Sequence, residues 1–160
     1  MLSRQRTEYD SKSREMVNLT AERVSTDRTD NFVYQRSVLA YVEAAKLVSG
    51  RVLEIGTGLG YGIRTIAARA DEFVTIDKFR SSAVDDLPAN TSFIEAKVPP
   101  LPFDDEVFDY VVSFQVIEHI RNDKQFVGEI LRVLKPGGKF IVTTPNRPMS
   151  LTRNPWHVRE

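Results

Sequence analysis

Cysteine is absent from this chain of 160 residues. Disulfides, thiolate metal sites and thiol nucleophiles are therefore excluded. Net charge is missing as well: 22 lysines and arginines balance 22 aspartates and glutamates. Such a balance gives no electrostatic reason to expect nucleic acid or an anionic membrane surface as a partner. Long apolar runs are lacking. No stretch reaches the ~20 residues that a bilayer-spanning helix needs, and Met1-Leu2-Ser3-Arg4-Gln5-Arg6 is not followed by an apolar segment of the leader type. The two histidines, His119 and His157, lie far apart with no ligand pattern around either, so no metal site is expected. One domain is the natural reading of the length, and a cytoplasmic enzyme or binding domain fits best.

Glycine is scarce, but half of its eight residues fall in one place, at positions 56, 58, 60 and 62. The apolar Val52-Leu53 precedes Glu54-Ile55-Gly56-Thr57-Gly58-Leu59-Gly60, and Ile63, Ile66, Ala67 and Ala70 follow at helical spacing. A strand that turns through glycines into a helix is a ligand-binding corner, because backbone must approach the ligand closely there and can need positive φ. Nicotinamide-binding domains open in the same way. Their fingerprint would place a glycine at position 61, where this chain has Tyr61. Glu54 would be an unwelcome neighbour for a pyrophosphate and a compatible one for a ligand carrying an ammonium and a sulfonium.

The rest of the chain alternates. Residues 1–30 are polar and charged with no clean period and read as an N-terminal arm. Thr29-Asp30-Asn31 can cap a helix carrying Phe32, Val38, Leu39, Tyr41, Val42 and Ala45 on its inner side, ended by Ser49-Gly50. Strands are predicted at 51–55, 73–76, 91–95, 110–114 and 139–143, and helices at about 59–70, 79–87 and 123–134. The third of these helices would bury Phe126, Val127, Ile130, Leu131 and Leu134. Pro88 ends the second, since proline disfavours helical geometry in the residue before it. Short apolar strands separated by amphipathic helices imply an α/β fold, a parallel sheet covered on both faces. Ligands in such sheets collect at the carboxyl ends of the strands, where Glu54, Asp77 and Phe114 all fall.

With these residues in view, Glu54 to Gly60 resembles the first motif of class I S-adenosylmethionine-dependent methyltransferases, of the small-molecule, type 11 kind. Three further segments agree. Phe73-Val74-Thr75-Ile76-Asp77 is similar to the family's second strand. Leu101-Pro102-Phe103-Asp104-Asp105-Glu106-Val107-Phe108-Asp109 resembles the loop into its fourth. Leu131 through Lys135-Pro136-Gly137-Gly138 to Phe140-Ile141-Val142 resembles its helix, turn and fifth strand. The match runs in order from about Gly50 to Asn146. It implies a Rossmann-like three-layer sandwich over 31–160, with S-adenosylmethionine as the cofactor and a small molecule as the methyl acceptor. Members of the family usually continue with another helix and two more strands. The expectation is thus a truncated domain lacking the last two strands, its fifth strand left as a sheet edge that a homodimer could hide.

The resemblance also implies roles. Gly56, Thr57, Gly58 and Gly60 would face the donor, and Gly62 would serve close helix–strand packing. Asp77, with Lys78 beside it, would take the ribose hydroxyls; its structural alternative is to cap the helix starting near Phe79. Glu54 would sit near the donor's amino-acid part, or else bond backbone amides of the turn. Many relatives have an acid where this chain has Lys97, and lysine cannot accept a bond from the adenine amino group. Backbone near Lys97 and Val98 would then serve, with Val98 packing on the ring. Phe114 and Gln115 would lie beside the methionine part. His119 is the candidate general base, set against a plain helix-start role; Glu118 has similar standing. The closing Asn154-Pro155-Trp156-His157-Val158-Arg159-Glu160 resembles tails of bacterial methyltransferases acting on quinone-like, sugar or lipid precursors. Two other readings stay open: an NAD-dependent oxidoreductase, which cofactor titration would separate, and a domain that holds S-adenosylmethionine without turnover.

Overall fold

The structure, a computed structural model, describes residues 32–146. The arm over 1–30, the Thr29-Asp30-Asn31 cap and the Asn154–Glu160 tail lie outside the described residues. The chain divides into two units, Met1–Arg36 and Ser37–Glu160, and the second holds the sheet. The elements are α1 (Phe32–Ala45), β1 (Arg51–Ile55), α2 (Ile63–Ala67), β2 (Glu72–Asp77), a 3₁₀ turn at Ser82–Val84, β3 (Thr91–Glu95), β4 (Phe108–Phe114), a second 3₁₀ turn at Ile117–His119, α3 (Asp123–Val133) and β5 (Leu134–Thr143).

Five strands pair in the order β3-β2-β1-β4-β5, and every pairing is parallel. Side chains alternate across a strand, so neighbouring apolar residues feed opposite cores. Val52, Phe73 and Val112 join Tyr41, Ala44, Ile63 and Ile66 on one side. Leu53, Val74 and Val111 join Phe126, Ile130 and Val133 on the other. This is why the central strands read as continuous apolar runs, and it gives the helix–sheet–helix layering expected from the sequence.

Element existence follows the sequence closely; phase and length do not. On α1 the buried stripe is Tyr41, Ala44, Ala45 and, just past its end, Val48. Leu39 and Val42, assigned to the inner side, are 56% and 41% exposed. Both sets have the i, i+3, i+4, i+7 spacing, so periodicity fixes the width of the stripe and not its phase. Small residues at 44 and 45 let the helix sit close to the sheet. Similarly, Val133 replaces Leu131, which is 64% exposed, on the buried face of α3. α2 is short because Gly60 to Gly62 are spent on the turn before it. The predicted helix at 79–87 shrinks to Ser82–Val84. Its polar residues bond elsewhere: Phe79 N–H donates to Asp77 Oδ1, Arg80 pairs with Asp85, and Ser81 Oγ donates to Gly58 O. Local side-chain bonds of this kind compete with helix.

β5 begins earlier than expected. Phe108 pairs with Leu134 but Tyr110 pairs with Lys139, so the ladder is interrupted across 135–138, where Gly137 has φ +82°. The loop into β4 is tied down by Arg132 of α3. Its guanidinium donates to Leu101 O at 3.0 Å, Phe103 O at 2.7 Å and Asp105 Oδ1 at 2.8 Å. Glu129 accepts from Leu101 N–H at 2.7 Å. Hydrogen bonds from Arg132 and from the Leu101 backbone hold the Glu129 carboxyl down to about 2.

Candidate functional site

Strand order reverses between β1 and β4, and parallel sheets take ligands at the carboxyl ends of the strands beside such a reversal, here those of β1, β2 and β4. The glycine loop after β1 is pinned from the β2 side. Gly56 N–H donates to Ile76 O at 2.8 Å, Gly58 N–H donates to Asp77 Oδ2 at 2.9 Å, and Ser81 Oγ donates to Gly58 O at 3.0 Å. Gly56 and Gly58 have φ of +96° and +53°, a region that strongly favours glycine. A Cβ on Gly56 would fall 2.4 Å from Val116 Cγ2, whereas one on Gly58 would meet nothing within 4 Å. Bare main chain at Gly58 therefore faces open space beside the Asp77 carboxylate. Gly60 faces protein instead, with Ala83 Cβ 2.5 Å from where its own Cβ would stand.

Glu54, the penultimate residue of β1, lies fully inside the molecule, 1% exposed. In the β1–β2 register it lies opposite Thr75. Thr75 Oγ1 donates to Glu54 Oε2 at 2.5 Å, and Thr57 Oγ1 lies 2.6 Å from Thr75 Oγ1. Since Thr75 has one proton to give and Glu54 takes it, Thr57 is the donor in the second bond. The chain runs Thr57 to Thr75 to Glu54, from glycine loop to buried acid. Burial pushes the Glu54 carboxyl up; the hydrogen bond from Thr75 and the nearby Tyr41 phenol pull it back, the Asp77 charge adds to the rise, and the result is about 7. Tyr41 packs on the same face of the sheet, in one cluster with Val52 and Val112, and Glu54 Oε1 is left buried without a hydrogen-bond partner among the described residues. Burial, together with the nearby Glu54 and Asp77 charges, holds the phenol's own pKa well above its usual value.

The comparisons with known proteins fall on this geometry. A family profile described as a methyltransferase domain matches residues 53–142, more than half of the chain and all of the strand ends just described. This chain belongs to the methyltransferase domain family. A Mycolicibacterium smegmatis protein named "Probable S-adenosylmethionine-dependent methyltransferase" is 38% identical over 152 residues, covering 89% of this chain and 59% of that protein. A protein of Clavibacter sepedonicus named demethylmenaquinone methyltransferase is 31% identical over 123 residues, covering 69% of this chain and 49% of its own. Among solved structures, one from Bacillus halodurans superposes with a TM-score of 0.61 at 22% identity, over 72% of this chain and 53% of that one, a likeness of fold. The chain thus spans between about half and three fifths of the length of these curated relatives.

Within the methyltransferase domain the predicted residues divide into those brought together and those kept apart. Glu54, Thr57 and Asp77 converge on the glycine loop, and Glu54 accepts from one hydroxyl of the neighbouring strand, that of Thr75, rather than from turn amides. Asp77 takes part of its structural alternative as well, since Oδ1 accepts from Phe79 N–H at 3.2 Å. Phe114 packs edge-on against Tyr41, ring centroids 4.9 Å apart. Gln115 adopts φ +58°, donates from its main chain to Thr143 O at 2.9 Å and from Nε2 to Thr143 Oγ1 at 3.2 Å. A left-handed glutamine at a strand end is uncommon, and strained residues of this kind cluster at functional sites. His119 closes the 3₁₀ turn after β4, half-buried, its N–H donating to Val116 O at 2.9 Å. Lys78 is exposed, 5.1 Å over the Phe79 ring. Lys97 is exposed past the end of β3, and Val98 packs into the core on the α3 side of the sheet. Among the described residues no cluster of acids and histidines could hold a metal ion, and no helix is long and apolar enough to cross a membrane.

Sequence reading missed Tyr41, Thr75, Val116 and Ala83 as site residues. Thr75 carried a signal, because a hydroxyl inside the otherwise apolar Phe73–Ile76 strand must find a buried partner. Gly62 carried another. Its expected strand contact is instead a seat for Tyr41 of α1: a Cβ there would lie 1.9 Å from Tyr41 Cε1.

Proposed function

We propose that this domain binds S-adenosylmethionine across the carboxyl ends of β1, β2 and β4 and transfers its methyl group to a small-molecule acceptor. The observation that carries the reading is the pairing of an open, side-chain-free Gly58 with an acid fixed beside it. A carboxylate has about four lone-pair directions; Asp77 uses one on Gly58 and one on Phe79, which leaves acceptors for the two ribose hydroxyls. The buried Oε1 of Glu54 fits an ammonium. Gly56, Thr57 and Gly60 shape the cradle, Phe114 and Gln115 border the amino-acid end, and Lys78, Lys97 and Val98 lie toward the base.

When bound, the donor supplies an electrophilic methyl on a sulfonium. This chain's own contribution is mainly to hold the reactants in line and dry, an effect worth roughly 7–11 kcal/mol. His119, if its imidazole meets an acceptor hydroxyl, adds general-base help of ~10²–10⁴-fold. A relative named for demethylmenaquinone methylation supports a quinone-like acceptor. The donor is an intracellular metabolite, which supports a cytoplasmic place, and the β5 edge suits pairing with a second copy. Titration with S-adenosylhomocysteine tests the reading directly. Binding in the micromolar range that Asp77→Ala weakens tenfold or more supports it; heat on titrating NAD and none with either adenosyl ligand overturns it. Donor binding with no methyl transfer to a panel of quinols would favour a non-catalytic holding domain.

A further inference from the structure

We propose that Tyr41 is a positioning residue of the donor site, its phenol holding the Glu54 carboxylate ready for the donor's ammonium; this rests on the donor reading above. The residue reads as core from its spacing, and a phenylalanine would fill that role. Its seat argues for more. The ring lies in a notch at Gly62 that any side chain would occupy, since a Cβ there would come within 1.9 Å of it. Phe114 meets it edge-on at 88°. Held on two sides, the ring is fixed on the face of the sheet that Glu54 shares, since Tyr41 packs in one cluster with Val52, two residues before Glu54, and with Val112, the register partner of Glu54 on β4.

Glu54 needs such a partner. The groups that face it are Thr75 and the Asp77 charge from β2, Tyr41 from α1 and, through Thr75, Thr57 from the loop. None is a cation, and among the described residues no lysine or arginine pairs with it. A buried carboxylate with one unsatisfied oxygen and no cation from its own chain is a receptor for a cation from outside. Thr75 and Asp77 are locked in the sheet. Tyr41 alone approaches from a helix, so it can yield to an ammonium without breaking a ladder bond. Its hydroxyl also favours the ionised form of Glu54, which is the form an ammonium requires.

The test is calorimetric titration of S-adenosylhomocysteine, from about pH 6 to about pH 8.5, into wild type, Tyr41→Phe, Glu54→Gln and the double variant. Wild-type affinity should rise with pH through about 7. Tyr41→Phe keeps the ring and should move that rise to higher pH, binding about three- to tenfold more weakly at neutrality and converging on wild type at the alkaline end. Gly62→Ala, which crowds the ring and leaves the hydroxyl in place, should shift the profile the same way. In the Glu54→Gln background, Tyr41→Phe should change nothing. A wild-type pH profile in Tyr41→Phe overturns the proposal, as does an equal loss at every pH in both backgrounds, which is what a packing role predicts. A wild type that binds no S-adenosylhomocysteine at any pH overturns the donor reading itself.

Discussion

Asp77 shows how one residue that fastens the fold also serves the site in the proposed reading. Its two oxygens fix the glycine loop and the start of the next segment, so truncation would disturb geometry as well as remove acceptors. Asp77→Asn separates the two effects, because the amide keeps one acceptor oxygen and turns the other into a donor. We expect it to weaken S-adenosylhomocysteine at least tenfold while shifting the urea midpoint little, as read by paired titration and equilibrium unfolding. Gly58→Ala is the converse. Space for a Cβ exists, but φ of +53° strains any side chain there by roughly 1 kcal/mol or more, and on the proposed reading the methyl would stand where the donor approaches. Affinity should fall by more than stability does. The motif named both residues at sequence level because their chemistry is local: a bare backbone and an acid at the next strand end. Thr75 and Tyr41 act only through contacts with Glu54, and no local pattern announces them.

Among the elements, α1 and α3 each fasten a part of the site that a neighbouring segment builds. α1 contributes the Tyr41 ring, and α3 contributes Arg132, whose bonds to Leu101 O, Phe103 O and Asp105 hold the loop leading into β4. Arg132→Met keeps much of the aliphatic stem and leaves two carbonyls and the Glu129 carboxylate short of donors. Hydrogen bonds to charged groups contribute about 1.5–3 kcal/mol each and part of that is recovered from water at this half-exposed place; a net loss of about 2–3 kcal/mol in urea unfolding is expected. Hydrogen exchange should quicken over 99–105 and stay slow in β1 and β2. Sequence spacing found both helices. It mistook the phase of α1 by placing Leu39 and Val42 inside, because a stripe one step round the helix satisfies the same period and only the sheet chooses between them.

For the whole molecule, two buried or bonded acids pull stability in opposite directions along the pH scale. The Glu129 carboxyl is lowered in the fold to about 2, so its contribution is present above its unfolded value near 4.5 and is lost as pH falls through about 2. The Glu54 carboxyl is raised to about 7. The folded state therefore holds a proton that the unfolded chain has released, and this contribution is full below about 4.5 and is lost as pH rises through about 7. Urea midpoints should fall on the acid side and decline again between about pH 5 and pH 7.5. Glu54→Gln should flatten the second decline and leave the first. A decline that persists unchanged in Glu54→Gln would place the titrating group elsewhere.

The sequence alone determined the layered α/β architecture, the five strands, the glycine corner and the two acids at neighbouring strand ends. Each is a matter of residue type at short range: apolar runs of strand length, glycines where φ turns positive, acids one position past an apolar run. Tertiary structure alone decided which face α1 buries, that the helix expected at 79–87 gives way to side-chain bonds, that Glu54 accepts from Thr75 and keeps its other oxygen buried and without a hydrogen-bond partner among the described residues, and that Val116 closes over Gly56. Those outcomes depend on residues brought together from positions 41, 54, 75 and 116, and which of several equivalent local choices wins is set by the packing of the others.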